Sequence, residues 1–115
     1  MKRIEAIIAN EKVLALNDAL KKAGVGGCTI LESKGRGKGE KPRVQTGRGT
    51  QRLASEFSDR ATLVTVIEDS LVDKVVETII DTVGTGAPGD GKIFVSTVNE
   101  AIDIGTGKRG QVSLV

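Results

Sequence analysis

From Lys2 to Ala9 the chain alternates, with Ile4, Ala6 and Ile8 on one side and Arg3, Glu5 and Ile7 on the other, which is the period of a half-buried strand. Between Glu11 and Ala23 the spacing changes. Val13, Leu16, Leu20 and Ala23 recur at helical intervals while Lys12, Asp18, Lys21 and Lys22 avoid that stripe, so a helix is predicted with Asn10 as its N-cap and Gly24 as its stop. After Gly26-Gly27 a second strand is predicted over Cys28 to Glu32, running toward Lys34, with Cys28 as a small buried hydrophobe. Residues 35–59 show neither period; Gly35, Gly37, Gly39, Pro42, Gly47 and Gly49 interrupt a polar stretch that reads as one long loop. The first pattern then repeats. Arg60 to Ile67 reads as a strand, Asp69 or Ser70 as a cap, and Val72, Val75, Val76, Ile79, Ile80 and Val83 as a helical stripe closed by Gly84. A glycine-rich turn leads into a strand over Ile93 to Val98, a short turn at 99–101, the apolar Ile102-Asp103-Ile104, and a Gly-rich tail.

Two strand–helix–strand halves joined by a long loop predict an α+β fold, a ferredoxin-like sandwich of one antiparallel sheet with two helices on one face. The other face of that sheet would be left open. In a chain rich in Val and Ile, an open apolar face favours self-association, so a homo-oligomer is expected.

Charge changes the picture of the loop. The chain of 115 residues carries only +2, yet Lys34 to Arg60 holds eight basic and three acidic residues, a local +5. Long loops inside compact domains are usually functional, so this one points to a ligand or partner. A nucleic-acid-binding module is one alternative reading. It lacks stacking platforms, since the only aromatic residues of the chain are Phe57 and Phe94, and no nucleic-acid partner is expected. With one cysteine and no histidine, a disulfide within the chain, a multi-cysteine metal site and histidine acid–base chemistry are excluded. No convincing carboxylate pair replaces them, so an enzyme is not expected. No apolar run is long enough to cross a membrane, and Met1-Lys2-Arg3 opens a strand pattern and not a signal peptide, so a single cytoplasmic domain over residues 1–115 is expected.

The turn Thr85-Gly86-Ala87-Pro88-Gly89-Asp90-Gly91-Lys92 is where candidate chemistry concentrates. Glycines let successive N–H groups converge on an anion, and a lysine adds a point charge beside them. Gly86 to Lys92 has P-loop spacing, but Ile93 stands where a magnesium-binding hydroxyl belongs and a strand follows where a helix should. Gly84-x-Gly86-x-x-Gly89 fits the dinucleotide fingerprint only after a helix-like segment, and Gly105-x-Gly107-x-x-Gly110 repeats the pattern by chance. The plain alternative is a Gly/Pro turn ahead of a strand.

Thr85 to Phe94 resembles the signature of the PII signal-transduction proteins. Met1-Lys2-Arg3-Ile4-Glu5-Ala6-Ile7-Ile8, Ala23-Gly24-Val25-Gly26-Gly27-Cys28-Thr29-Ile30 and Leu71-Val72-Asp73-Lys74-Val75-Val76 resemble other parts of the same family. The resemblance implies a homotrimer that binds ATP or ADP, with AMP as a further candidate, in clefts between neighbours, with 2-oxoglutarate and Mg-ATP bound together in many members. It also implies a T-loop, here about 35–59, that docks onto an ammonium transporter or a nitrogen- or carbon-metabolism enzyme or regulator. Gly89, Asp90, Gly91 and Lys92 match the B-loop (84–92) that wraps the phosphates. Thr29 matches a residue at the adenine, and Ile7, Gly35, Gly37, Lys38, Val64 and Val66 fall where the family lines base and ribose. The C-terminal segment, 103–115, departs from the family: Asp103-Ile104-Gly105-Thr106-Gly107 replaces Arg-x-Arg-Thr-Gly, removing two phosphate-binding cations. Lys108 or Arg109 is the candidate replacement. The glutamine used for 2-oxoglutarate and magnesium is absent near Lys38-Gly39-Glu40, and Arg60 stands for the family's lysine at the far end of the loop. Without any tyrosine, nucleotidylation of a loop tyrosine is excluded; Arg48 in Gly47-Arg48-Gly49-Thr50 is the candidate partner-inserting residue. A PII-like trimer that has lost its ligand is the second alternative.

Overall fold

The computed structural model describes residues 1–37 and 56–110. Strand β1 spans Lys2–Ala9, and a 3₁₀ turn, Asn10–Lys12, leads into helix α1 over Val13–Lys22. Strand β2 spans Thr29–Gly35 and β3 spans Ser58–Ile67. A second 3₁₀ turn, Asp69–Leu71, precedes helix α2 over Val72–Val83, and β4 covers Gly91–Thr97. The sheet order is β2-β3-β1-β4, with every neighbouring pair antiparallel. This is the expected ferredoxin-like arrangement.

Alternation along β1 produces the two faces. Ile4, Ala6 and Ile8 stand opposite Thr65, Leu63 and Ala61 of β3 and opposite Val95, Ile93 and Gly91 of β4, all on the helix side. Leu16 and Leu20 from α1, and Val75, Ile79 and Val83 from α2, close the core over them. Thr65 is the buried polar residue of this layer, and its hydroxyl donates to the Gly27 carbonyl at 2.6 Å, so it leaves no unsatisfied donor. The opposite face carries two rows across the sheet. One reads Lys92, Ile7, Thr62, Leu31; the next reads Phe94, Glu5, Val64, Thr29. Leu31 and Phe94 are each about half exposed there, at 53% and 52%.

Gly24 terminates α1 as its position predicts. With φ at +94° it lets the Val25 amide donate to the Leu20 carbonyl and its own amide to Lys21, while Val25 packs into the core beside Leu20. This is a Schellman motif. The helix starts depart from expectation. Asn10 and Asp69 lie within 3₁₀ turns, the residues before those turns are extended, and no side chain caps either helix. Asp69 instead accepts from the Met1 amine at 2.9 Å. Cys28 also corrects its reading: it precedes β2 and is exposed, its thiol 3.9 Å from the Asn17 side-chain oxygen. Strand β3 begins two residues earlier than read, at Ser58, because Asp59 and Ser58 pair with Lys34 and Gly35 and the Lys34 ammonium lies 2.6 Å from the Asp59 carboxylate. No helix among the described residues is long and apolar enough to cross a membrane.

Candidate functional site

Helix α2 ends at Val83, and the Gly84 amide donates to the Ile80 carbonyl at 2.8 Å. The backbone is extended at Gly84, and the glycine is required because a Cβ would stand 2.6 Å from the Ile80 oxygen. The turn that follows is built around Asp90. Its carboxylate accepts from the Thr85 amide at 2.6 Å, the Thr85 hydroxyl at 2.7 Å and the Gly86 amide at 3.0 Å. The Thr85 hydroxyl bond, reinforced by these amides, holds the Asp90 carboxyl below its ordinary range. Asp90 therefore ties the ends of the turn together from inside the loop. Gly86, Gly89 and Gly91 have φ of +83°, +95° and +135°, which l-residues with a Cβ rarely adopt. At Gly91 a Cβ would also lie inside the van der Waals envelope of the Ile7 carbonyl oxygen, so β4 reaches β1 only through a glycine.

Several residues singled out from sequence meet here. Lys92 is the cross-strand partner of Ile7 on the open face. On β3, the Arg60 stem lies over Gly35, where a Cβ would stand 3.2 Å from its Cγ. The Arg60 guanidinium extends toward Gly89, its Nη2 lying 3.9 Å from the point a Cβ would occupy. Gly35 and Gly89 thus leave room for one arginine between the end of β2 and the turn. Beneath it lies a cavity of about 380 Å³ whose lining includes Lys12, Asp59, Arg60, Thr85, Gly89 and Asp90. Arg60 on β3, Lys92 at the start of β4 and a run of glycine backbone lie at this end of the sheet and suit an anion, while Glu11, Asp59 and Asp90 supply carboxylates to the same cavity.

Thr29 and Val64 are cross-strand partners, and Val66 faces Arg3 farther along the same surface. Between Thr29 on β2 and the row of Lys92 on β4 lie three inter-strand spacings, about 14 Å in all. Gly37 is exposed, with open space where a Cβ would be. Lys38 and Arg48 lie outside the described residues. Lys108 and Arg109 sit in a small ribbon beyond β4, where Ile102 bridges Arg109 and the Asp103 amide donates to the Lys108 carbonyl at 2.9 Å. The seven residues of β4 separate this ribbon from the turn of the same chain. The Arg109 guanidinium pairs with Glu100. Asp103, which replaces a family cation, accepts from the amides of Gly105 at 2.7 Å and Thr106 at 3.1 Å and so forms the ribbon's turn.

Sequence reasoning missed the structural part of Thr85; the signal was a hydroxyl five residues before an aspartate across a glycine turn. The Gly35–Arg60 contact had no local signal, because the two residues are brought together by strand pairing.

Comparison with known proteins identifies the family of the chain. The family model for nitrogen regulatory protein P-II matches residues 1–108. A nitrogen regulatory protein P-II of Rhodospirillum rubrum is 42% identical over 110 residues, covering 96% of each chain. Proteins of the same description from Azospirillum brasilense and Haemophilus influenzae are each 40% identical, over 96% of this chain and 96% and 97% of their own. With the family model and relatives both spanning nearly its whole length, this chain belongs to the P-II nitrogen regulatory proteins, which are signal-transduction regulators and not enzymes.

Proposed function

We propose that this P-II chain is a cytoplasmic homotrimeric regulator that binds an adenine nucleotide, ATP, ADP or AMP, in clefts between subunits. Its loop of about 35–59 passes the ligand state to a partner such as an ammonium transporter or an enzyme of nitrogen or carbon metabolism. The observation that carries the reading is the convergence of Gly35, Arg60 and Gly89 beside a turn that ends on Lys92 and opens onto the sheet face. Backbone N–H groups of the turn with Lys92 and Arg60 would hold phosphate, and the half-exposed apolar face would take the base. The spacing between Thr29 and Lys92 supports a cleft shared by two copies, one supplying the turn and the other Thr29, Val64 and Val66. Because Asp103 is committed to its own turn and Gly105 has no side chain, two charge-assisted bonds to phosphate are missing. Each contributes about 1.5–3 kcal/mol, so ATP gains less over ADP and AMP than it would with those cations present.

Titration calorimetry with ATP, ADP and AMP, each with and without magnesium and 2-oxoglutarate, tests the reading. At least one adenylate is expected to bind below millimolar, and Lys92→Ala is expected to weaken it at least tenfold. No binding below millimolar by any of the three would sink the proposal and leave a trimer that has lost its ligand. An unchanged dissociation constant for Lys92→Ala would remove the turn from the site.

A further inference from the structure

Asp90-Gly91 is the single Asp-Gly dipeptide of the chain, and no Asn-Gly occurs in it. Glycine has no side chain to shield its nitrogen or restrict its backbone, so an aspartate followed by glycine is where a chain most readily closes on itself. The Gly91 nitrogen attacks the Asp90 Cγ; the N–Cγ bond forms, the bond from Cγ to its hydroxyl breaks, and water leaves with the amide proton. The product is a five-membered succinimide. Water then opens the ring at either carbonyl, restoring aspartate or leaving isoaspartate, in which the main chain runs through Cβ and Cγ. One water leaves and one returns, so no other reactant is needed.

The folded turn opposes ring closure in two ways. Both carboxylate oxygens of Asp90 are occupied: one accepts from the Thr85 hydroxyl at 2.7 Å, the other from the Thr85 amide at 2.6 Å and the Gly86 amide at 3.0 Å. These donors lie four and five residues before Asp90 and fix the carboxylate in one orientation across the turn. They also favour the ionised form, which carries no hydroxyl to leave as water. The attacking side is fixed as well, because Gly91 opens β4 and pairs with Ile8. Asp69 before Ser70 makes a contrast within the chain, since its carboxylate is bound by the Met1 amine and a side chain stands on the residue that follows.

We propose that Asp90 is the site at which this protein undergoes spontaneous isomerisation to isoaspartate, and that the Thr85 hydroxyl, together with the amides of Thr85 and Gly86, is the latch that holds the reaction off while the turn is folded. The inference is independent of any ligand or assembly. Its consequence is local and severe. Isomerisation adds one carbon to the main chain between Asp90 and Gly91, and the close approach of Gly91 to the Ile7 carbonyl leaves no slack to absorb it. The start of β4 then slides along β1, and Lys92 leaves its place opposite Ile7. The shortened acid side chain also loses its reach to Thr85 and Gly86, so the turn does not close again.

The test incubates the full chain folded in buffer and unfolded in urea, at one temperature and pH, and counts isoaspartate at each position by proteolysis and electron-transfer mass spectrometry. In the unfolded chain, Asp90 is expected to isomerise first, ahead of Asp69. In the folded chain, its rate is expected to fall by at least about tenfold, the factor that one hydrogen bond to a carboxylate supplies. Thr85→Val removes the hydroxyl and keeps the amide; with its fold checked by circular dichroism, it is expected to isomerise at Asp90 about tenfold faster than the folded wild type. Thr85→Ser, which restores a hydroxyl, is expected to return to the wild-type rate. Equal rates in folded and unfolded wild type would overturn the latch whatever the variants do. A Thr85→Val rate equal to wild type, or a Thr85→Ser rate equal to Thr85→Val, would remove the hydroxyl from it. An unfolded chain that forms no isoaspartate at Asp90 would overturn the site itself.

Discussion

Replacing Gly91 by alanine separates two costs that the structure places at one residue. At φ of +135° the backbone is in a region that an alanine adopts only under strain, about 1–3 kcal/mol. The new methyl also overlaps the Ile7 carbonyl oxygen, which belongs to backbone and cannot rotate away. Relieving that overlap means moving the start of β4 off β1, comparable with overpacking a core and about 1–3 kcal/mol again. The total is about 4 kcal/mol, or about 15 °C in melting temperature for a domain of this size. Gly86→Ala is the internal control: its φ of +83° carries backbone strain, but nothing lies within 4 Å of the added methyl. It is expected to lower the melting temperature by only about 4–8 °C. Both variants and the wild type are melted by circular dichroism at one fixed protein concentration, since the proposed assembly would make the midpoint concentration-dependent. If Gly91→Ala melts within about 3 °C of Gly86→Ala, the close approach of β4 to β1 is not a structural constraint and the reasoning fails.

Two further predictions concern the turn and the Arg60 side chain that reaches it. Asp90 has its carboxyl held low in the folded loop, so the order it confers is present above the ordinary carboxylate pKa of about 3.9 and is lost as pH falls through the lowered folded value. In proton–nitrogen spectra the Thr85 and Gly86 amides should therefore titrate together below about pH 4, and Asp90→Asn should abolish that step; a midpoint above pH 4 would contradict the bonding described. Gly35→Ala should displace the Arg60 stem while leaving the melting temperature within about 4 °C of wild type, because a flexible side chain absorbs the contact. Its readout is the affinity for adenylate, expected to fall several-fold, and an unchanged affinity would separate Arg60 from the site.

Much of the fold was legible because its signals are local. Strand β1 was read to the residue, and Gly24 announced the end of α1 because only one backbone conformation makes a Schellman turn there. Both helix starts were misread for the opposite reason. Asn10 and Asp69 have capping chemistry, but a 3₁₀ turn occupies the capping position, and Asp69 finds a partner at Met1 that lies far away in sequence. Strand β3 was read two residues short because Ser58 and Asp59 have no apolar period; they are in the strand through pairing with β2. In the site, the glycines and Lys92 stood out, whereas the seat of Arg60 over Gly35 depends on strand register and was invisible. Cys28 reads as interior by residue type, but it lies just outside the strand that would have buried it.

The strand order has a consequence for how this chain comes to be folded. All three ladders, β2 with β3, β3 with β1 and β1 with β4, join a strand of the first repeat to a strand of the second. Neither repeat contains a strand pair of its own, so the internal duplication visible in the sequence is not a pair of folding units. During synthesis the first 35 residues can build a helix but no sheet until residues 58–67 have left the ribosome. A break placed between β2 and β3 should give two fragments that are each unfolded and that regain structure only on mixing. Because the cost of closing a loop rises by only about 0.6 kcal/mol for each doubling of its length, the same topology lets the connection between the repeats lengthen or shorten with little effect on stability. The repeats are thus obligate partners in folding, while the segment that joins them is free to change.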